Sequence, residues 1–412
     1  MPVTIALGAL AVAIWAYLLL GRGFFWWVPA EAREPNGISS FRHPRASGGP
    51  GILDSRFRGN DDNKMEPESA APLHYPTVVA VVPARNEAAV VGQAIASLLA
   101  QDCRGEFSVV LVDDHSSDGT ADIARAAAKG HEERLRIVAA RSLPEGWTGK
   151  LWALSEGVRQ IEAPPDLYLF TDADIAHHPT NLSELVARLE REDRDLVSLM
   201  VKLRCQSLAE RFLIPSFVFF FALLYPFAWS NDPGKRTAAA AGGCILIRRG
   251  AYERIGGYAA IRSQLIDDCA LARAVKHGGS IWLGLTPATR SLRSYPHIAD
   301  IWNMVARTAY TQLDQSPLLL AATVLGLALT YLAPPLLLLL AGGGAAWLGG
   351  LSWAAMTLSY VPMLRFYGLS QFWAPLLPAA ALVYLAATVA SARRHWQGRG
   401  GEWKGRVQWQ SR

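Results

Sequence analysis

The chain has 412 residues, 51% of them apolar and 18% charged, with a net charge of +5. That length allows two domains, or one domain plus a membrane region, and the apolar excess favours the second over a disordered chain. The basic residues are dispersed, with no dense patch for nucleic acid, and Cys103, Cys205, Cys244 and Cys269 form no C-x-x-C pair, which argues against structural zinc and fits free thiols in a reducing compartment.

Val3 to Leu20 is an almost unbroken apolar run just long enough to span a bilayer. No Lys or Arg precedes it, while Arg22, Arg33, Arg42 and Arg45 follow. The positive-inside rule therefore puts the N-terminus outside and the chain after Gly21 in the cytoplasm, where anionic lipid suits a basic protein. A cleaved signal peptide is the competing reading. It lacks a basic n-region and has Phe24-Phe25-Trp26-Trp27 where small residues should stand, so residues 1–21 read as an anchor. Residues 22–76 read as a linker. Its stretch from about Asn36 to Met65 has many breakers and no hydrophobic period, the mark of a disordered insertion. The part from His43 to Asp62 resembles a translated palindromic repeat of the kind found between bacterial genes, an insertion with no chemistry of its own.

From Thr77 onward strands and helices alternate. Val78–Val82 is a strand, followed by Pro83-Ala-Arg-Asn-Glu87 and a helix through Ala100. Ser108–Val112 is a second strand, ending in Asp113-Asp-His-Ser-Ser-Asp-Gly-Thr120, with a helix over Ala121–Lys129 and a third strand at Arg136–Ala139. This alternation predicts an α/β fold with a parallel sheet. Leu167–Phe170, bounded upstream by Pro164-Pro165, reads as a buried strand running into Asp172 and Asp174. Strand alternation turns those two acids to one side and Ala173 to the other. Two hard oxygen ligands at the carboxyl end of a strand suit Mg²⁺ or Mn²⁺ bridging phosphates, although Asp also favours plain turns and caps. No glycine lies between Val82 and Gly92, so the dinucleotide fingerprint is absent, and Gly146-Trp-Thr-Gly-Lys150 lacks the spacing of a phosphate loop. Asp113 and Asp114 can instead accept hydrogen bonds from a pyrimidine or a ribose, while Asp118-Gly119-Thr120 turns the chain and caps the next helix. His177 and His178 follow the acid pair directly. Either could bind Mn²⁺, but Pro179 behind them reads as the start of a helix, and neither is placed among the metal ligands.

Three strings carry a resemblance: Val-Val-Pro-Ala-Arg-Asn-Glu87, Val-Asp-Asp-His-Ser-Ser-Asp-Gly-Thr120 and Thr-Asp-Ala-Asp-Ile175. In this order they resemble the family 2 glycosyltransferases, over about Val78 to Tyr310. The resemblance implies a GT-A nucleotide-sugar-binding fold with a mostly parallel sheet, a nucleotide-sugar donor (UDP-sugar first), a divalent cation (Mg²⁺ or Mn²⁺) and inversion at the anomeric carbon. It places the nucleoside on Pro83, Arg85, Glu87, Asp113 and Asp114, and the diphosphate and metal on Asp172 and Asp174. Lys150, at a helix start, would contact the nucleotide; the plainer alternative is a solvated lysine. Ala241-Gly-Gly-Cys-Ile-Leu-Ile-Arg248 resembles the family's glycine-rich strand beside the acceptor. Asp267-Asp268 stands where the family has Glu-Asp, which makes Asp268 the general base and Asp267 its neighbour. Helix-dipole compensation is the bland role for that pair, and the N-terminus of the helix is expected to hold Asp268 ionised. Trp302-Asn-Met-Val-Ala-Arg307 occupies the place of the Q-x-x-R-W motif of polysaccharide synthases without matching it, which favours transfer of a single sugar, with Arg307 still free to face the diphosphate.

Arg211–Trp229 is strongly apolar but holds two prolines, and reads as a segment lying in the membrane interface to present a lipid acceptor. Leu318–Leu340, Ala345–Leu364 and Phe372–Ala390 are three further apolar runs, within membrane helices at 311–392 that follow the 77–310 catalytic domain. The 393–412 tail carries Arg393, Arg394, Arg399, Lys404 and Arg406 and prefers the cytoplasm. Three crossings from a cytoplasmic domain would leave that tail outside. Either one run is re-entrant, with the Pro334-Pro335 run the suspect, or one of the charge readings fails. The whole pattern, including Leu143-Pro-Glu-Gly-Trp-Thr-Gly-Lys150 and Arg307-Thr-Ala-Tyr-Thr-Gln-Leu313, is most similar to hopene-associated glycosyltransferases. That implies a lipid acceptor, hopanoid biosynthesis and a multi-pass place in a bacterial inner membrane. Transferases directed at ceramide or polyprenyl phosphate, and a non-catalytic nucleotide-sugar-binding membrane protein, are the alternatives.

Overall fold

A computed structural model describes residues 2–29 and 75–399, with the backbone of 402–403 and 406–407. The insertion expected at 36–65 and residues 400–401, 404–405 and 408–412 of the basic tail lie outside the described residues.

The first helix, α1 (Pro2–Leu20), precedes the α/β part. The α/β part then runs β1 (Val78–Ala84), α2 (Val91–Leu99), β2 (Phe107–Asp113), α3 (Thr120–Ala127), β3 (Leu135–Ala139), α4 (Gly149–Arg159), β4 (Leu167–Phe170), β5 (Ile175–Ala176), α5 (Asn181–Arg191) and β6 (Leu196–Lys202). After α6 (Leu208–Leu224) and α7 (Phe227–Asn231) come β7 (Ile245–Arg248), α8 (Arg249–Arg254), α9 (Asp267–Lys276), β8 (Ile281–Ser291) and α10 (Ile298–Ala306). The eight strands form one sheet in the order β3-β2-β1-β4-β7-β6-β8-β5. β1 pairs in parallel with β2 on one side and β4 on the other, Val78 lying opposite both Phe107 and Leu167. β7 runs antiparallel between β4 and β6, and β6 is parallel to β8. The expected α/β, mostly parallel architecture is therefore present, and the register brings the carboxyl ends of β1, β2 and β4 to one edge.

β1 is buried along its whole length because both faces are covered. Val78, Ala80 and Val82 pack into an apolar layer with Val91, Ile95 and Leu98 of α2, while Val79 and Val81 face Leu151 and Leu154 of α4. At Gly157 a Cβ would collide with Val81, so α4 can lie against β1 only with glycine at that turn.

The apolar helices form a third layer. α11 (Pro317–Leu327) continues through one wide turn at Ala328–Leu332 into α12 (Ala333–Leu340); α13 (Gly343–Phe366) and α14 (Leu377–Trp396) follow. Among the described residues three segments are long and apolar enough to cross a membrane: Pro2–Leu20, Pro317–Leu340 and Gln371–Trp396. The Pro334-Pro335 run is not broken. Its prolines open α12, where the missing N–H costs little, and Trp15 Nε1 donates to the Thr330 carbonyl at 2.9 Å in the widened turn. The last of these segments is flanked by bonds to the α/β part. Lys202 Nζ donates to Phe366 O at 2.9 Å just before it, and Arg394 Nη2 donates to Asn303 Oδ1 at 2.8 Å near its end.

α6 departs from the expected surface-lying segment. Its start is fixed by a capping box between Ser207 and Glu210, and Leu213, Ile214, Val218 and Phe219 have no exposed surface. A helix apolar on nearly every side is buried rather than amphipathic. α6 packs with Trp15, Phe25, Met356, Tyr360 and Tyr384, making it the wedge between the sheet and the apolar helices.

Candidate active site

A cavity of about 570 Å³ opens where β4 and β1 end. β4 stops at Phe170, and the turn after it carries Asp172 and Asp174 into the cavity wall. Asp172, Ala173 and Asp174 all line the cavity, held there by a turn rather than by the strand alternation that would have turned Ala173 away. α9 starts at Asp267, so Asp267 and Asp268 enter the same cavity from the opposite side.

Two cations cross-brace these acids. Lys150 Nζ lies 2.9 Å from Asp172 Oδ1 and 3.1 Å from Asp267 Oδ2. Burial works against its charge, but Asp172 and Asp267 outweigh it and hold the ammonium above its ordinary value. The solvated-lysine alternative does not describe this geometry. Arg293 Nε lies 2.9 Å from Asp174 Oδ2 while its Nη2 lies 2.6 Å from Glu87 Oε1, and Ser291 Oγ donates to the same Asp174 oxygen at 3.2 Å. Sequence reasoning missed Arg293 and Ser291. The available signal was the polar string Ser291-Leu-Arg-Ser-Tyr295 directly after the longest strand.

Asp268 accepts from Gly242 N (2.9 Å, Oδ2) and Cys269 N (2.7 Å, Oδ1). Burial and the neighbouring Asp267 outweigh Lys150 and these two N–H groups, and the carboxyl is pushed up to about 6. A carboxyl at about 6 is still mostly ionised at neutral pH, as expected of a base, although burial leaves it less acidic than a helix N-terminus alone would. Asp172 is raised as well, by burial first, with Lys150 opposing. A Cβ on Gly242 would lie 3.1 Å from Lys150 Nζ and 3.5 Å from Asp268 Oδ2, so glycine keeps the centre of the site open.

Of the residues expected at the nucleoside, Pro83 and Glu87 line the cavity. Arg85 and Asp114 pair with one another: Arg85 Nη1 donates to Asp114 O at 2.6 Å and lies 3.7 Å from its carboxylate, which is 1% exposed. Asp114, buried directly after β2, thus braces Arg85 and is not among the residues that line this cavity. Asp113 accepts from Ser116 N at 3.0 Å and stands half-buried at the strand end. Arg307 lines the cavity, as its position suggested. His177 is buried and bonded to Thr171 and Asn181, away from the acids.

The acids suit a hard divalent cation. Asp172 uses Oδ1 for Lys150 and Asp174 uses Oδ2 for Arg293 and Ser291, leaving one carboxylate oxygen of each for a metal whose other positions phosphate and water would fill. Among the described residues no group of three or more His, Cys, Asp or Glu is placed to hold a metal by itself.

Residues 79–256 match the family model described as Glycosyl transferase family 2. A mannosyltransferase, PcManGT from Pyrobaculum calidifontis, solved with GDP-Man and Mn²⁺, is similar at 18% identity and a TM-score of 0.50, over 95% of this chain and 99% of that one. Glucosyl-3-phosphoglycerate synthase from Mycobacterium tuberculosis, solved with Mn²⁺, UDP and glucosyl-3-phosphoglycerate, aligns at 21% identity and a TM-score of 0.39, over 58% of this chain and 79% of that one. The sheet order and the matched residues lead to one conclusion: this chain carries a Glycosyl transferase family 2 domain on a GT-A-like fold, and it is a glycosyltransferase.

Proposed function

We propose that the protein transfers one sugar, with inversion, from a nucleotide sugar to a membrane lipid, a hopanoid-related acceptor first among the candidates. One observation carries this reading. The cavity that holds Asp172, Asp174 and Asp268 is walled on another side by Phe217 and Phe221 of α6, Met200 and Met304. α6 belongs to the same apolar cluster as α1, α13 and α14. A polar floor for a diphosphate thus meets an apolar wall continuous with the helices that suit a bilayer. The similar mannosyltransferase bound GDP-Man and Mn²⁺, which supports a nucleotide-sugar donor and a divalent cation here.

In the mechanism we read from this site, Asp172 and Asp174 would hold the cation, which when bound supplies charge neutralisation at the leaving diphosphate. Lys150, Arg293 and Arg307 add fixed positive charge along the same wall. Asp268 takes the proton of the acceptor hydroxyl as that oxygen attacks the anomeric carbon opposite the nucleoside diphosphate. The new C–O bond forms, the sugar–phosphate bond breaks, and the proton ends on Asp268. Asp267 keeps Lys150 in place. To test the reading, membranes containing the protein are given isotopically labelled UDP- and GDP-sugars. One labelled lipid, a single sugar heavier than its acceptor and absent with Asp268→Asn, is expected. Label found only in water-soluble products would overturn it.

The same reading gives a topology. We take residues 77–310 as the catalytic domain and 311–392 as its membrane helices, with the domain in the cytoplasm. α1 enters and α11–α12 leave; α13, which is not among the three most apolar segments but packs along α1 and α12, returns, while the segment after Phe366 dips in and comes back to the domain, as the bonds that flank it favour. This reconciles the basic tail with the positive-inside rule. A reporter joined after Gln397 should be cytoplasmic, whereas a tag at Gly342 should react with a membrane-impermeant reagent from outside. Both on one side would exclude this path.

A further inference from the structure

Behind the acid turn lies a buried polar chain that the mechanism above does not use. His177 is 5% exposed, at the end of β5. Its Nε2 lies 2.9 Å from Thr171 Oγ1 and its Nδ1 lies 3.1 Å from Asn181 Nδ2. Thr289 Oγ1 donates to Asn181 Oδ1 at 2.9 Å. Thr171 Oγ1 in turn donates to Gly243 O at 2.7 Å.

Every proton in this chain has one place to go. Asn181 Oδ1 accepts from Thr289, so its amide nitrogen, which only donates, faces the ring. His177 Nδ1 must then be the acceptor, and Nε2 carries the hydrogen. That N–H points at Thr171 Oγ1, which leaves the threonine proton for the Gly243 carbonyl. An imidazolium would set N–H against N–H, and burial alone already drives the ring down to about 3, so it stays neutral.

The two ends of the chain matter for the reaction. Thr171 directly precedes Asp172. Gly243 directly follows Gly242, whose N–H holds Asp268 Oδ2 at 2.9 Å. We propose that His177 is a positioning residue: through Thr171 and Gly243 it sets the spacing between the diphosphate-side acids and the base. This rests on the reading of Asp268 as the base. The ring touches neither acid. It fixes the tautomer that locks a side-chain bridge between two turns, each carrying one half of the site.

The test compares His177→Phe, Thr171→Val and Thr171→Ser, with Asp268→Asn alongside. His177→Phe keeps a ring without nitrogens, and Thr171→Val keeps shape without the hydroxyl. Each should lower kcat by roughly ten- to a hundredfold, the scale of a small misplacement of reacting groups. KM for the donor should stay within about threefold, because the groups that line the donor pocket are untouched. The double variant should be no worse than either single one, since both break one bridge. Thr171→Ser restores the donor and should recover most of the rate. If His177→Phe does not accumulate as folded protein, the Val and Ser pair decides, as it alters one hydroxyl only. Unchanged kcat in Thr171→Val, additive losses in the double variant, or equal losses in Val and Ser would each overturn the proposal. The expected losses in His177→Phe and Thr171→Val together with near-normal turnover in Asp268→Asn would instead overturn the base reading.

Discussion

Asp268→Asn is expected to lower turnover by roughly two to four orders of magnitude, the usual worth of general-base catalysis. The substitution keeps the shape of the side chain and an oxygen for Gly242 N–H or Cys269 N–H, and removes the basicity. Donor binding should survive, because Lys150 touches Asp172 and Asp267 and has no ion pair with Asp268. The wild-type pH profile provides a second check. Burial and Asp267 put the Asp268 carboxyl at about 6, so the protonated, inactive form builds up as pH falls through that value. The rate at low substrate should therefore drop below about pH 6, and not near the value of an ordinary carboxylate. Asp267→Asn removes one of the groups that raise Asp268, so it should move the fall to lower pH at a smaller cost in rate. A phosphate acceptor already presents an anionic oxygen and needs no base. Near-normal turnover in Asp268→Asn would mean that the acceptor is such a phosphate or that Asp267 is the base, and the Asp267 variant separates the two.

Asp174→Asn should weaken Mn²⁺-dependent nucleotide binding by at least about two orders of magnitude, since even partners one step removed from a metal are worth ten- to a hundredfold. The variant removes one of two carboxylate charges and leaves Arg293 on Glu87 alone. Arg293 then faces a bound cation with Glu87 as counter-charge and Asp174 no longer between them, which adds repulsion to the loss of a ligand. Titration calorimetry with and without Mn²⁺ measures both effects. Equal metal dependence in variant and wild type would remove Asp174 from the metal site. Asp172→Asn makes a useful contrast: it releases Lys150 to Asp267, so it should reduce nucleotide binding even where no metal is added.

Local pattern alone determined much of this protein. The strand at Val78–Val82, the apolar run of Leu167–Phe170 and the alternation of strands with helices were enough to predict a mostly parallel α/β sheet. The strings at Pro83–Glu87, Asp172–Asp174 and Asp267–Asp268 pointed to one chemistry through their resemblance to a known family, and the fold brings residues of all three to one cavity. These features were legible because a strand face, a helix start or a strand-end turn depends on near neighbours. Tertiary structure decided the rest. Arg293 reaches Asp174 and Glu87 from 119 and 206 residues away, a pairing set by the placement of β8 and the loop after it. Asp114 carries the same residue type as Asp172, yet it turns inward to brace Arg85. How far Asp268 is raised above an ordinary carboxylate depends on its burial and on Asp267 beside it, which the helix start alone does not reveal. Likewise, α6 and the last apolar segment have similar composition to membrane-crossing helices. Where they lie follows from what they pack against, because hydrophobicity specifies burial but not the partner that provides it.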